Sequence, residues 1–156
     1  MTQSRFVYVI HIRTTPEKLW AALIQPEFTK RYWAETWQES DWRVGSPWRI
    51  MKPGGAKGEV ADSGEVKVFD PPKKLVVTWQ NQFNAEMKAE GHSTCTYDIE
   101  PTEGAVKLTV THEMARKDSK LINAVSNGWP PLLSSLKSLL ETGEPLSETT
   151  KWPKDA

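Results

Sequence analysis

The sequence predicts an α+β domain: a curved antiparallel sheet wrapped around a long C-terminal helix, with two short helices after the first strand. Three observations carry this prediction. Segments with apolar residues at alternate positions recur at hairpin spacing through the middle of the chain. A helix-start signal follows the first of them. The last third then changes to a repeat of three or four residues. Strands at hairpin spacing with helices at the ends of the run give an α+β layer arrangement.

Phe6, Tyr8, Ile10 and Ile12 fall on one face of the opening segment, and Val7, Val9 and His11 on the other, which predicts a strand. Thr15 is a good N-cap, and Pro16 suits the first helical position because its missing N–H costs nothing there. Leu19, Trp20, Leu23 and Ile24 continue that helix, and Pro26 stops it or kinks it into a second helix over Glu27 to Trp33. Trp37 to Trp42 is ambiguous. Val44 to Met51 reads as a turn on Gly45 leading into a strand, with Trp48 and Ile50 on one face. Glu59 to Phe69, with Val60, Val66 and Val68, is one strand interrupted by a bend or two paired strands. Asp70-Pro71-Pro72 is a rigid turn, and Leu75 to Trp79 is the most strand-like run.

Asn81 to Glu90 is polar and reads as a loop or an irregular hairpin connection. Thr94 to Glu100 and Ala105 to Met114 form a hairpin across the Pro101 to Gly104 turn. Leu121, Val125, Trp129, Leu132, Leu133, Leu136, Leu139 and Leu140 define an amphipathic helix from Ser119 to Glu141. Pro130 and Pro131 are expected to bend or interrupt it, and Gly143 to end it. The division is one domain over 1–146 and a polar, loosely ordered tail over 147–156.

The 156 residues suit one domain, able to bury roughly 70% of its unfolded surface. Twenty basic and twenty acidic side chains balance to zero formal charge. That balance excludes a broad basic field for nucleic acid and a polybasic membrane anchor. No apolar stretch approaches membrane-spanning length, and the N-terminus lacks a signal-peptide core. A cytoplasmic protein is expected. The single cysteine, Cys95, leaves no internal disulfide and no thiolate cluster. His11, His92 and His112 lie too far apart for a metal motif. Gly54-Gly55-Ala56-Lys57-Gly58 lacks the strand–loop–helix context of a phosphate loop and reads as a hairpin turn. Neither a metal nor another cofactor is expected.

Eight tryptophans are the unusual feature. They make a thick aromatic core or line a pocket for a flat apolar ligand. His112, on the apolar face of its strand, is a hydrogen-bonded core histidine or an acid–base group in a cavity. Cys95, beside Tyr97, reads as an inert buried thiol because no activating base is in view. Asp41, Arg43, Arg49, Glu65 and Asp98 are the charged strand residues that either enter the cavity or sit on the solvated face.

The segment Tyr8-Val9-Ile10-His11-Ile12-Arg13-Thr14-Thr15-Pro16-Glu17-Lys18-Leu19-Trp20 resembles the first strand and helix of activator-of-heat-shock-protein-ATPase-homologue-like proteins, in the START-like (SRPBCC, helix-grip) superfamily. Val44 to Arg49 resembles that family's glycine turn into a strand, with Ser46 where a second glycine is common. Gly64 to Trp79 resembles its strand, proline turn and strand. Asn127-Gly128-Trp129-Pro130, leading into Leu133, Leu136 and Leu140, resembles its C-terminal helix. The resemblance covers residues 6 to 143. It implies a helix-grip fold with an internal cavity, in a superfamily whose members bind lipids, hormones and polyketides.

The functional expectation is non-enzymatic binding of a small hydrophobic or aromatic molecule in that cavity. The expected lining is Trp48, Val66, Trp79, Tyr97, His112, Trp129 and Leu133, with free space near Trp129 and hydrogen bonding from the Trp48 and Trp79 indoles, Tyr97 and His112. The alternatives are a chaperone co-factor or other interaction module, and a cavity enzyme acting on a hydrophobic substrate, for which no catalytic residues are named. Monomer and homodimer both stand open.

Overall fold

Alternation of apolar side chains makes each predicted strand bury one face, and only pairing with a neighbour satisfies its backbone. The computed structural model, which describes residues 3–53 and 59–149 apart from the side chain of Glu148, shows the result. In chain order the elements are β1 (Ser4–Ile12), α1 (Pro16–Ile24), α2 (Pro26–Tyr32), β2 (Trp37–Ser40), β3 (Pro47–Met51), β4 (Val60–Asp70) and β5 (Lys74–Asn81). Then come α3 (Ala85–Ala89), β6 (Ser93–Thr102), β7 (Ala105–Met114), α4 (Lys120–Thr142) and a 3-10 turn (Ser147–Thr149). The strands form one curved antiparallel sheet in the order β1-β7-β6-β5-β4-β3-β2, which sets the first strand beside the last and leaves β1 and β2 as edges.

Proline and capping chemistry place the first two helices as expected. Thr15 Oγ1 accepts from the Lys18 N–H at 3.2 Å, and Pro16 opens α1. Pro26 then forces Gln25 into an extended conformation and opens α2. The Tyr32 hydroxyl donates to the Ala22 carbonyl at 2.8 Å and ties the two helices together. Helix α4 is capped by Ser119, whose Oγ accepts from the Ile122 N–H at 3.1 Å and donates to Glu90 Oε1 at 2.7 Å. Glu90 also accepts from the backbone N–H groups of Lys120 and Leu121, so one carboxylate from the far side of α3 satisfies the helix start. Gly143 adopts φ 89°, and its N–H closes the helix on Leu139. Leu121, Ile122, Trp129, Leu132, Leu133, Leu136 and Leu139 form the buried stripe that packs into the sheet.

Two expectations change and two open readings close. Helix α4 runs unbroken through Pro130 and Pro131. The two prolines do not interrupt it: they remove donors to the Ser126 and Asn127 carbonyls, which lie where the helix is open to water, while the other side carries the buried stripe. The ambiguous Trp37 segment is a strand, β2, whose Gln38 points inward. The polar connection after β5 contains the short helix α3, started by the Asn84 side chain. The span Glu59 to Phe69 is a single strand with a register shift between Val66 and Val68. At Gly64 in that strand, a Cβ would stand 1.8 Å from the Thr78 carbonyl oxygen, so the backbones approach closely only because the side chain is absent. Of the tail, Ser147 to Thr149 is tied back: the Thr149 carbonyl accepts from the Ala34 N–H at 2.7 Å. The expected turn at Gly54 to Gly58 and the expected loose order after Thr149 lie outside the described residues.

Candidate functional site

Two sheet strands, helix α4 and the end of α2 bring four tryptophans together in the core. Trp48 on β3 and Trp79 on β5 are tilted neighbours at 4.8 Å between ring centroids. Trp129 of α4 meets Trp79 edge-on at 6.0 Å. Trp33, the residue that ends α2, stacks on Trp79 at 6.2 Å and meets Trp129 at 5.5 Å. Ala34 and Glu35 behind it take left-handed φ values of 49° and 62°, which turn the chain away and leave Trp33 half-buried at the surface. A second aromatic group, Trp20, Trp42 and Phe69, lies apart from this one. Trp37 sits outside both, under the Lys30 ammonium.

The indole N–H groups are largely spoken for. Trp48 Nε1 donates to Gln38 Oε1 at 2.7 Å, and Gln38 passes its own amide hydrogen to the Leu23 carbonyl. Trp129 Nε1 donates to His112 Nδ1 at 3.3 Å. That contact makes Nδ1 an acceptor, so the proton sits on Nε2, which donates to Ser93 Oγ at 2.7 Å. Ser93 in turn donates to the Trp79 carbonyl at 3.1 Å. Burial drives the His112 pKa down to about 3, so the ring is neutral at ordinary pH. This closed chain is the arrangement of a satisfied core histidine.

Trp79 Nε1 donates to Asp62 Oδ1 at 2.9 Å, and Asn81 Nδ2 adds a second bond at 3.3 Å. Burial pushes the Asp62 carboxyl up to about 7 against those two bonds, which favour the charged form. Two groups remain inert. Burial raises the Cys95 thiol to about 12. Burial likewise holds the Tyr97 hydroxyl protonated, well above its ordinary value, and that hydroxyl is buried without a hydrogen-bond partner.

Between Trp33 and α4 the surface opens into a pocket of about 200 Å³ lined by Trp33, Trp79, Val125, Gly128, Trp129 and Leu132. No charged side chain lines it. A side chain built on Gly128 would meet nothing within 4 Å, so this wall of the pocket is the helix backbone. The volume lies below the roughly 300–1,000 Å³ of drug-sized sites and near that of a cavity able to hold a single benzene ring, about 150 Å³. Two roomier grooves are lined by charged side chains: one holds the Lys74–Asp98 ion pair, the other Glu65, Lys67 and His92. Among the described residues no cluster of histidine, cysteine or carboxylate side chains has the make-up of a metal site.

Of the seven residues expected to line a cavity, Trp79 and Trp129 face the pocket. Trp48, Tyr97 and His112 pack directly behind them, and Val66 and Leu133 lie in the surrounding core. The Trp48 and Trp79 N–H groups do not face free space, because Gln38 and Asp62 occupy them. The charged candidates fall on the solvated face: Arg43 with Asp41, Arg49 with Glu39, Lys67 with Glu65 and Lys74 with Asp98 are exposed pairs. The buried carboxylate is Asp62, which the sequence reading did not single out. It shares strand parity with Val66, and that was the available signal. Trp33 was also missed, because nothing in a seven-residue helix marks which way the side chain of the residue capping its end turns.

Comparison with known proteins places this geometry. Residues 13–141 match the family model described as activator of Hsp90 ATPase homolog 1-like protein. No curated protein matches the chain significantly. Among solved structures, the Aha1 dimer from Colwellia psychrerythraea is similar with TM-score 0.69 and 20% identity, over 89% of this chain and 97% of that one. Protein MLL2253 from Mesorhizobium loti has TM-score 0.71 and 26% identity, over 88% and 96%. CalU16 from Micromonospora echinospora has TM-score 0.67 and 16% identity, over 89% and 77%. Four sequence segments in the family's order, the seven-stranded sheet gripping α4 and the match over most of the chain agree: the protein belongs to the activator of Hsp90 ATPase homolog 1-like family and has the helix-grip fold of the START-like superfamily.

Proposed function

We propose that the protein binds a small, neutral aromatic molecule, without covalent chemistry, in the pocket between Trp33 and α4. The observation that carries this reading is the lining itself: three indoles and two aliphatic side chains around space for one or two rings, with no charge among them. A ligand there stacks on indole faces and gains by leaving water. Burying about 150–250 Å² of ring surface is worth about 4–6 kcal/mol, or a Kd from about 1 mM to tens of micromolar. The histidine and carboxylate beneath the rings are tied up in hydrogen bonds, which favours binding over catalysis. A second reading, docking of a partner protein such as a chaperone, has one observation behind it: Val7 and Val9 stand about half exposed on the outer face of edge strand β1.

Calorimetric titration with toluene, naphthalene and anthracene tests the first reading. One- and two-ring compounds should bind saturably and the three-ring compound should not. Gly128→Leu, which fills the pocket while improving helix propensity, should weaken binding at least tenfold. Absence of saturable binding by any of the three would leave the docking surface as the better account.

A further inference from the structure

We propose that the pocket selects hydroxylated aromatics, neutral phenols of one or two rings, by exchanging the Trp129 indole for the ligand's hydroxyl above Tyr97 and His112. The inference rests on the pocket being a ligand site and adds which ligand it prefers. Its starting point is the Tyr97 hydroxyl, a side chain only 2% exposed with no hydrogen-bond partner. Its nearest polar neighbour is the Cys95 thiol, a weak sulfur acceptor that does not replace an oxygen or nitrogen partner. Folded proteins leave few buried polar groups unpaired, and each one calls for a reason.

Register supplies the second half. On β6 and β7, Cys95 faces His112 and Tyr97 faces Val110. Tyr97 and His112 are therefore diagonal neighbours on the inner face of the sheet. Trp129 covers both, at 6.0 Å from the Tyr97 ring and 6.3 Å from the His112 ring. It is also a wall of the pocket. Its own polar tie is the single 3.3 Å bond to His112 Nδ1, longer than the usual 2.9–3.0 Å.

When Trp129 turns aside, Nδ1 needs a donor and the Tyr97 hydroxyl needs an acceptor. A hydroxyl is both: its proton goes to Nδ1, and its oxygen accepts from Tyr97. A ketone or ether serves only Tyr97, and a carboxylate brings a charge that no neighbouring cation offsets. The ring of a phenol then lies against Trp33 and Trp79 in the apolar part of the pocket.

The test titrates the full chain, with ¹⁵N-labelled indoles, against phenol, anisole and toluene at pH 7. Phenol should bind about tenfold more tightly than the other two, the value of one buried hydrogen bond. It alone should move the Trp129 Nε1–H resonance toward the position of an unbonded indole. Tyr97→Phe, which keeps the ring, should bring phenol down to the toluene level and leave toluene unchanged; unmoved Trp20 and Trp42 resonances would show that the variant is folded. Equal binding of phenol and toluene, or a phenol preference that survives Tyr97→Phe, overturns the proposal while the pocket stands. No binding by any of the three overturns the pocket and the proposal together.

Discussion

His112 and Asp62 both lie beneath Trp79 and titrate in opposite senses. His112 falls from an ordinary value of 6.5 to about 3 in the folded protein. Below pH 6.5 the unfolded chain takes up a proton there that the folded chain refuses, so stability falls with pH through that window. Asp62 rises from 3.8 to about 7. Below pH 7 the folded chain takes up a proton that the unfolded chain refuses, so stability rises as pH falls. Each slope is about 1.4 kcal/mol per pH unit, and between pH 5 and 6.5 the two oppose each other. Glu90 and Glu141, held below the ordinary 4.5 by hydrogen bonds to Ser119 and Lys137, act only at lower pH. Denaturant unfolding should therefore be nearly flat across pH 5 to 6.5. Asp62→Asn should lose stability on acidification through that range, and His112→Gln should gain it. Two variants as flat as the parent would mean that neither group is perturbed as described.

Elements were legible in proportion to how much they bury. β7 alternates over ten residues because one of its faces is core, and α4 repeats every three or four residues for the same reason. Helix α3 buries none of its five residues, so it leaves no period in the sequence. The unbroken course of α4 was also hidden. Proline's local cost is visible in a sequence, whereas the packing of seven buried side chains that outweighs it is not. Leu136 is a fully buried member of that stripe. Leu136→Ala should destabilise by about 2–5 kcal/mol in denaturant melts, and a loss under about 0.5 kcal/mol would place the residue outside the core. In β4, Gly64→Ala drives a methyl group into the Thr78 backbone and should cost about 1–3 kcal/mol or more. A neutral result at Gly64 would mean that β4 and β5 are farther apart there.

For the whole molecule, the sequence order of strands and helices gave the α+β class, because hairpin spacing leaves few ways to pair neighbours, and the family resemblance of four segments gave the helix grip that sets β1 beside β7. The site was legible only in outline. Free space at the Trp129 end follows from crowding rings onto a curved sheet. Its size does not, because Trp48 and Trp79 turn inward onto Gln38 and Asp62 and fill the interior that an open cavity would occupy. What remains is a shallow apolar pocket whose outer wall is Trp33. The central claim is that an aromatic molecule occupies that pocket. The most direct measurement is an isotope-filtered NMR experiment that reads contacts between unlabelled toluene and the ¹³C-labelled protein. Contacts from toluene to the methyl groups of Val125 and Leu132, with none to the fully buried Leu75 methyls, are the predicted result. Contacts confined to Val7 and Val9 on the outer face of β1, or no contacts at a saturating concentration, would contradict the account.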